Sequence, residues 1–111
     1  MDITTQRHKH CDALKVKGRV DSFTAPKLSE AIEVINKDDR FKIVIDMSGL
    51  EYMSSAGFRA LLVGQRNCKR YNRGEIVLAG VPKRIHDAFE LTGFTPLFKI
   101  FDDLTTAVGY F

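Results

Sequence analysis

The chain has 111 residues, 44% of them hydrophobic and 28% charged, which suits one soluble globular domain with an ordinary core and leaves no room for two. No run approaches the roughly 18 consecutive apolar residues of a membrane-spanning helix. A net charge of +3 and a pI near 9.0 fall short of the clustered basic face that nucleic-acid binding requires.

Residues 1–7 lack the basic start and apolar block of a secretory signal, so a cytoplasmic protein without membrane insertion is expected. Two short strands are predicted over 3–9 and 13–20. In the second, Leu14, Val16, Gly18 and Val20 alternate with Lys15, Lys17 and Arg19, a period of two that puts one face in the core and one in water. His10-Cys11-Asp12 is the turn of this antiparallel hairpin. His8, His10 and Cys11 are crowded but lack the spacing of a closed tetrahedral site, so no metal is expected. Cys11 and Cys68 belong to no paired motif and read as reduced packing thiols. Residues 21–26 supply a cap and a proline at the first turn of a helix whose inward positions are Leu28, Ala31, Ile32 and Ile35. A polar connection at 36–39 ends it.

Residues 41–46 hold Ile43, Val44 and Ile45 in succession, the mark of a strand buried on both faces. A helix over 55–71 follows, with Ala56, Ala60, Gly64 and Cys68 as a small-residue face close to the sheet, widened by Leu61 and Tyr71. Arg59, Arg66, Arg70 and Arg73 lie on its other side, either a solvated face or a docking surface. Gly74 stops the helix, and 75–79 is a strand. A helix over 83–91 follows, with Ile85, Ala88, Phe89 and Leu91 inward and Thr92-Gly93 closing it. A last strand covers 98–101, and Asp102 or Asp103 caps a helix through Ala107. The order β-β-α-β-α-β-α-β-α implies an α/β fold: a mostly parallel sheet with an N-terminal hairpin and packed helices. Partners of such sheets gather at the carboxyl ends of the strands, where both Asp21 and the Ser54-Ser55 pair are expected.

Ser54 and Ser55 stand where a buried strand turns into a helix. Backbone N–H groups at a helix start lack intrahelical partners, and the helix dipole favours negative charge there. The position by itself favours a capping serine, among the commonest uses of Ser there, and also suits a phosphate. Enzyme chemistry finds little footing: there is no glycine-rich phosphate loop, no Gly-x-Ser-x-Gly elbow and no histidine placed as a base. No catalysis and no cofactor are expected.

Taken together, the motifs resemble the STAS domain family, specifically the small stand-alone anti-sigma factor antagonists of bacteria. Gly18-Arg19-Val20-Asp21 with Leu28 is similar to the family's opening, and 43–53 to its central strand and loop. Ser54-Ser55-Ala56-Gly57-Phe58 occupies the family's Asp-Ser-Ser/Thr-Gly-Leu segment, and Leu91-Thr92-Gly93-Phe94 with 97–101 its C-terminal signature. This chain departs from the pattern with Ser54 in place of Asp, Ala56 in place of Ser or Thr, and Phe58 in place of Leu.

The resemblance implies a single STAS domain over 1–111. It also implies a partner that is both anti-sigma factor and serine kinase, bound when the antagonist is unphosphorylated and released when it is phosphorylated. A serine phosphatase reverses the step. The family's phosphoserine falls on Ser55, with Ser54 as second candidate. Partner contacts are expected from Asp21, Met53, Ser54, Ser55, Ala56, Gly57, Phe58, Arg59, Leu62 and Arg66. Asp21 also reads as a cap or turn residue. The alternative is a constitutive STAS interaction module in a signalling or transport-regulatory complex, with no phosphoswitch.

Overall fold

The computed structural model describes residues 1–93 and 97–111; Phe94 of the C-terminal signature lies outside them. The elements are β1 (Asp2–Arg7), β2 (Asp12–Val20), α1 (Ala25–Lys37), β3 (Lys42–Met53), α2 (Ser55–Lys69), a single 3-10 turn (Arg70–Asn72), β4 (Glu75–Ala79), α3 (Lys83–Thr92), β5 (Ile100–Phe101) and α4 (Leu104–Tyr110). Their order is the expected one. The strands form one sheet in the order β1-β2-β3-β4-β5, with β1 antiparallel to β2 and the other neighbours parallel.

Strand alternation divides the interior. One face of the sheet (Leu14, Val16, Ile43, Ile45, Ile76, Leu78) packs against Leu28 and Ile32 of α1, Leu61 of α2, and Ile85 and Phe89 of α3. The opposite face (Ala13, Val44, Val77, Ala79) is covered by Ala107 and neighbouring residues of α4. Ile43, Val44 and Ile45 are fully buried because the sheet is sandwiched at that point, as their unbroken apolar run requires. Among the described residues, no helix is long and apolar enough to cross a membrane.

Several boundaries differ from expectation, among them that of α4, which runs on to Tyr110. β3 continues to Met53 instead of ending at Asp46, because β2 pairs with it throughout, from Asp12↔Ile43 to Val20↔Met53. The pairing carries two irregularities. Between Lys15↔Asp46 and Lys17↔Gly49, β3 advances three residues to β2's two; between Gly18↔Leu50 and Arg19↔Tyr52 it advances two to one. Each extra residue is a bulge, and each shifts the inward-facing position by one. Met47, Leu50 and Met53 are consequently buried at a spacing of three, which resembles no strand period. β5 is only Ile100–Phe101, and β1 ends at Arg7.

Two residues read as inward are not. α2 ends at Lys69, and Tyr71 lies in the following turn with positive φ and 84% exposed; Leu91 is 89% exposed near the end of α3. Gly74 follows the Arg70–Asn72 turn and precedes β4; an added Cβ there would stand 2.3 Å from the Phe41 carbonyl oxygen, so the chain passes only without a side chain. Gly93 ends α3 in the left-handed conformation, and Asp103 caps α4, its carboxylate accepting from the Thr106 N–H. Both cysteines are free and buried, and burial pushes their thiols up from the ordinary range.

Candidate functional site

The ends of β2 and β3 bring the expected site together. Val20 and Met53 are register partners, and the Ser54 N–H donates to the Val20 carbonyl at 2.8 Å. Asp21 and Ser54 therefore leave the sheet side by side, one toward α1 and the other into α2.

Ser54 occupies the N-cap position with extended backbone, and its carbonyl accepts from the N–H groups of Gly57 (3.0 Å) and Phe58 (3.2 Å). Its side chain makes no capping bond. The hydroxyl is buried and has no hydrogen-bond partner among the described residues. Ser55 is the first residue of α2 and is exposed. The two serines, adjacent and of the same chemistry, thus differ in access. No acidic residue lies in the first turn of α2, so its N-terminal dipole is uncompensated by side-chain charge, while Arg66 and Lys69 complement the other end.

Asp21 is committed locally. Its Oδ1 accepts from the N–H groups of Phe23 and Thr24, each at 3.0 Å, and from the Thr24 hydroxyl at 3.1 Å. The Thr24 N–H, aided by that of Phe23 and by the Thr24 hydroxyl, holds the carboxyl below the usual carboxylate range. This is the turn role, and it leads directly into α1, whose N-cap Thr24 makes no capping bond of its own.

Several expected contact residues face inward. Met53 and Phe58 are 6% and 5% exposed, and Phe58 meets Phe89 edge to face with ring centroids 4.7 Å apart. Their apolar surface belongs to the core rather than to a partner. Gly57 is buried too; a Cβ there would stand 2.6 Å from Met53 Cγ and 2.9 Å from Val20 Cγ1, so α2 starts close against the strand ends for want of a side chain. Ala56 and Leu62 are half-buried, and Arg59 and Arg66 exposed. The arginine row divides: the Arg73 guanidinium donates to the carbonyls of Arg70 and Asn67 and lies 3.8 Å from the Phe41 ring centroid, a structural role rather than a docking one.

The small-residue stripe does more than approach the sheet. A Cβ on Gly64 would meet both Ile76 of β4 and Ile32 of α1. Ala56 and Ala60 line an open groove of about 730 Å³ between α1 and α2, bordered by Ala25, Glu30 and Glu33 on one side and Arg59 and Val63 on the other. The α1 side of this groove was not anticipated. Glu30 and Glu33, three apart on the outer face of the first helix, were its available signal in the sequence.

Comparison with known proteins agrees with this architecture. The family model described as Mlab, STAS domain matches residues 3–99. An anti-sigma-B factor antagonist of Listeria monocytogenes is 33% identical over 100 residues, covering 90% of this chain and 86% of the relative. One from Staphylococcus aureus is 32% identical over 100 residues, covering 90% of this chain and 92% of the relative. The crystal structure of an anti-sigma factor antagonist from Mycobacterium paratuberculosis superposes with a TM-score of 0.82 at 26% identity, over 98% of this chain and 92% of that one.

Proposed function

The chain belongs to the STAS domain family, and from that premise we propose that it is an anti-sigma factor antagonist switched by phosphorylation of Ser55. Unmodified, it binds an anti-sigma factor that is also a serine kinase; phosphorylated, it releases it, and a serine phosphatase restores binding. The chain acts in the cytoplasm as binding protein and kinase substrate, not as an enzyme.

One observation carries the assignment to Ser55. It is exposed at the head of α2, whereas the neighbouring Ser54 hydroxyl is buried. A kinase must reach its acceptor oxygen, so access favours Ser55. A phosphate adds about −1.5 to −2 charges, which the helix N-terminus tolerates within the fold. A partner packed over an uncharged Ser55 meets that charge in a desolvated interface, and binding weakens without unfolding. A loss of about 3 kcal/mol lowers affinity by more than a hundredfold.

A second reading has a specific observation behind it. No carboxylate precedes Ser55; the position holds Ser54. A constitutive interaction module needs no kinase recognition there. Site-resolved mass spectrometry of the protein from its host, under growth and under stress, separates the readings. A condition-dependent phosphate on Ser55 supports the switch, and one on Ser54 alone overturns the residue assignment. With the anti-sigma factor in hand, Ser55→Asp is expected to weaken binding more than a hundredfold while Ser55→Ala retains it; unchanged affinity in Ser55→Asp supports the constitutive module.

A further inference from the structure

Arg59 follows Ser55 by four residues on α2, one helical turn along the same face. Side chains so spaced are neighbours, and an anion placed N-terminal to a cation at this spacing is the favourable orientation. Both residues are exposed. Among the described residues, no carboxylate lies within ion-pair distance of Arg59, although it borders a groove that also carries Glu30, Glu33 and Lys37 of α1. A guanidinium without a fixed partner, one turn below a hydroxyl at a helix start, stands ready for an anion attached there.

We infer that Arg59 is the built-in counter-ion of a phosphate on Ser55, so that phosphorylation both adds negative charge at the head of α2 and withdraws the Arg59 cation from the groove between α1 and α2. The inference rests on the reading of Ser55 as acceptor. The guanidinium donates two N–H groups to phosphate oxygens, a charge-assisted fork that a single point charge does not reproduce. While Ser55 is free, Arg59 remains available to an acidic group of a partner lying along the groove. Once the phosphate is present, that partner loses a cation as well as meeting an anion. The groove's other charges, Glu30, Glu33 and Lys37, stay in place.

The test installs phosphoserine at position 55 synthetically and follows its phosphorus resonance through a pH titration. A nearby cation favours the dianion, so the second phosphate proton leaves at lower pH. Arg59→Gln is expected to raise that midpoint by about 0.3 unit, the size of an exposed i,i+4 ion pair. Arg59→Lys keeps part of the effect. Arg66→Gln, which removes the same net charge farther along α2, leaves the midpoint near that of the parent protein. An unchanged midpoint in Arg59→Gln, or an equal shift in Arg66→Gln, overturns the assignment. Because the phosphate is installed by synthesis, this result is independent of whether the host modifies Ser55, and failure of either idea is recognisable by itself.

Discussion

At the scale of single residues, adjacent groups of the same chemistry are separated by environment. Ser54 directs its backbone N–H to Val20 and its carbonyl to the first turn of α2, and its hydroxyl is buried; Ser55 faces solvent. Asp21 shows the same dependence on surroundings. Its carboxylate organises the turn into α1 through two backbone N–H groups, which is why its pKa is lowered. A carboxyl with a depressed folded pKa contributes stability that is present above the unfolded value, about 3.9 for Asp, and lost as pH falls through the folded value. Asp21→Asn is therefore expected to make stability fall less steeply than in the parent protein as pH drops from about 5 to about 3. Chemical denaturation at a series of pH values checks this. Parallel stability profiles for the two proteins would show that the turn draws nothing from the charge.

At the scale of elements, α2 is held by contacts that fall outside its hydrophobic pattern. Gln65 is 4% exposed; its amide nitrogen donates to the carbonyls of Ile76 (3.0 Å) and Leu97 (2.8 Å), and its amide oxygen accepts from the Ile76 N–H (2.6 Å). β3 pairs with β4 on one side at Ile76, but β5 meets β4 on the other side only at Leu78 and Ala79, so Gln65 satisfies the Ile76 backbone groups on the side that β5 does not reach. Gln65→Ala leaves those buried groups unpaired and is expected to cost about 2–4 kcal/mol, with faster amide exchange at Ile76. A loss below about 1 kcal/mol in urea unfolding would mean that water replaces the side chain. The length of β3 is also an element-scale result. Its two bulges carry the pairing to Met53 and so deliver Ser54 beside the end of β2.

At the scale of the whole molecule, the site lies over the thickly covered face of the sheet, and the far end of the sheet is secured separately. Asp12, 2% exposed, receives the Arg40 Nε–H at 2.6 Å, and the same guanidinium donates to the carbonyls of His8 and Cys11 at 2.7 and 3.1 Å. One side chain between α1 and β3 thereby ties down the turn of the N-terminal hairpin. Arg40→Ala leaves the buried Asp12 carboxylate only the more distant and more exposed Arg7, at 3.7 Å, and is expected to destabilise by about 3 kcal/mol, part of which returns when Asp12→Asn is added. Thermal unfolding of the single and double variants measures that coupling. Little loss in the single variant would show that Arg7 or water compensates Asp12 in place of Arg40.

The order of elements, the hairpin, the buried run at Ile43–Ile45, the 75–79 strand and the resemblance carried by residues 18–58 were legible in the sequence, because each depends on periodicity or on short segments of fixed composition. What the sequence could not separate were residues of equal character whose roles depend on a neighbour far along the chain. Phe58 reads as a contact until Phe89 is placed against it, Leu91 reads as core until α3 turns it outward, and Ser54 stays a second candidate beside Ser55 until the fold buries its hydroxyl. Local pattern determined the elements. Which side of each met another was decided by tertiary packing, since burial is a property of the assembled sheet and helices and of no segment alone.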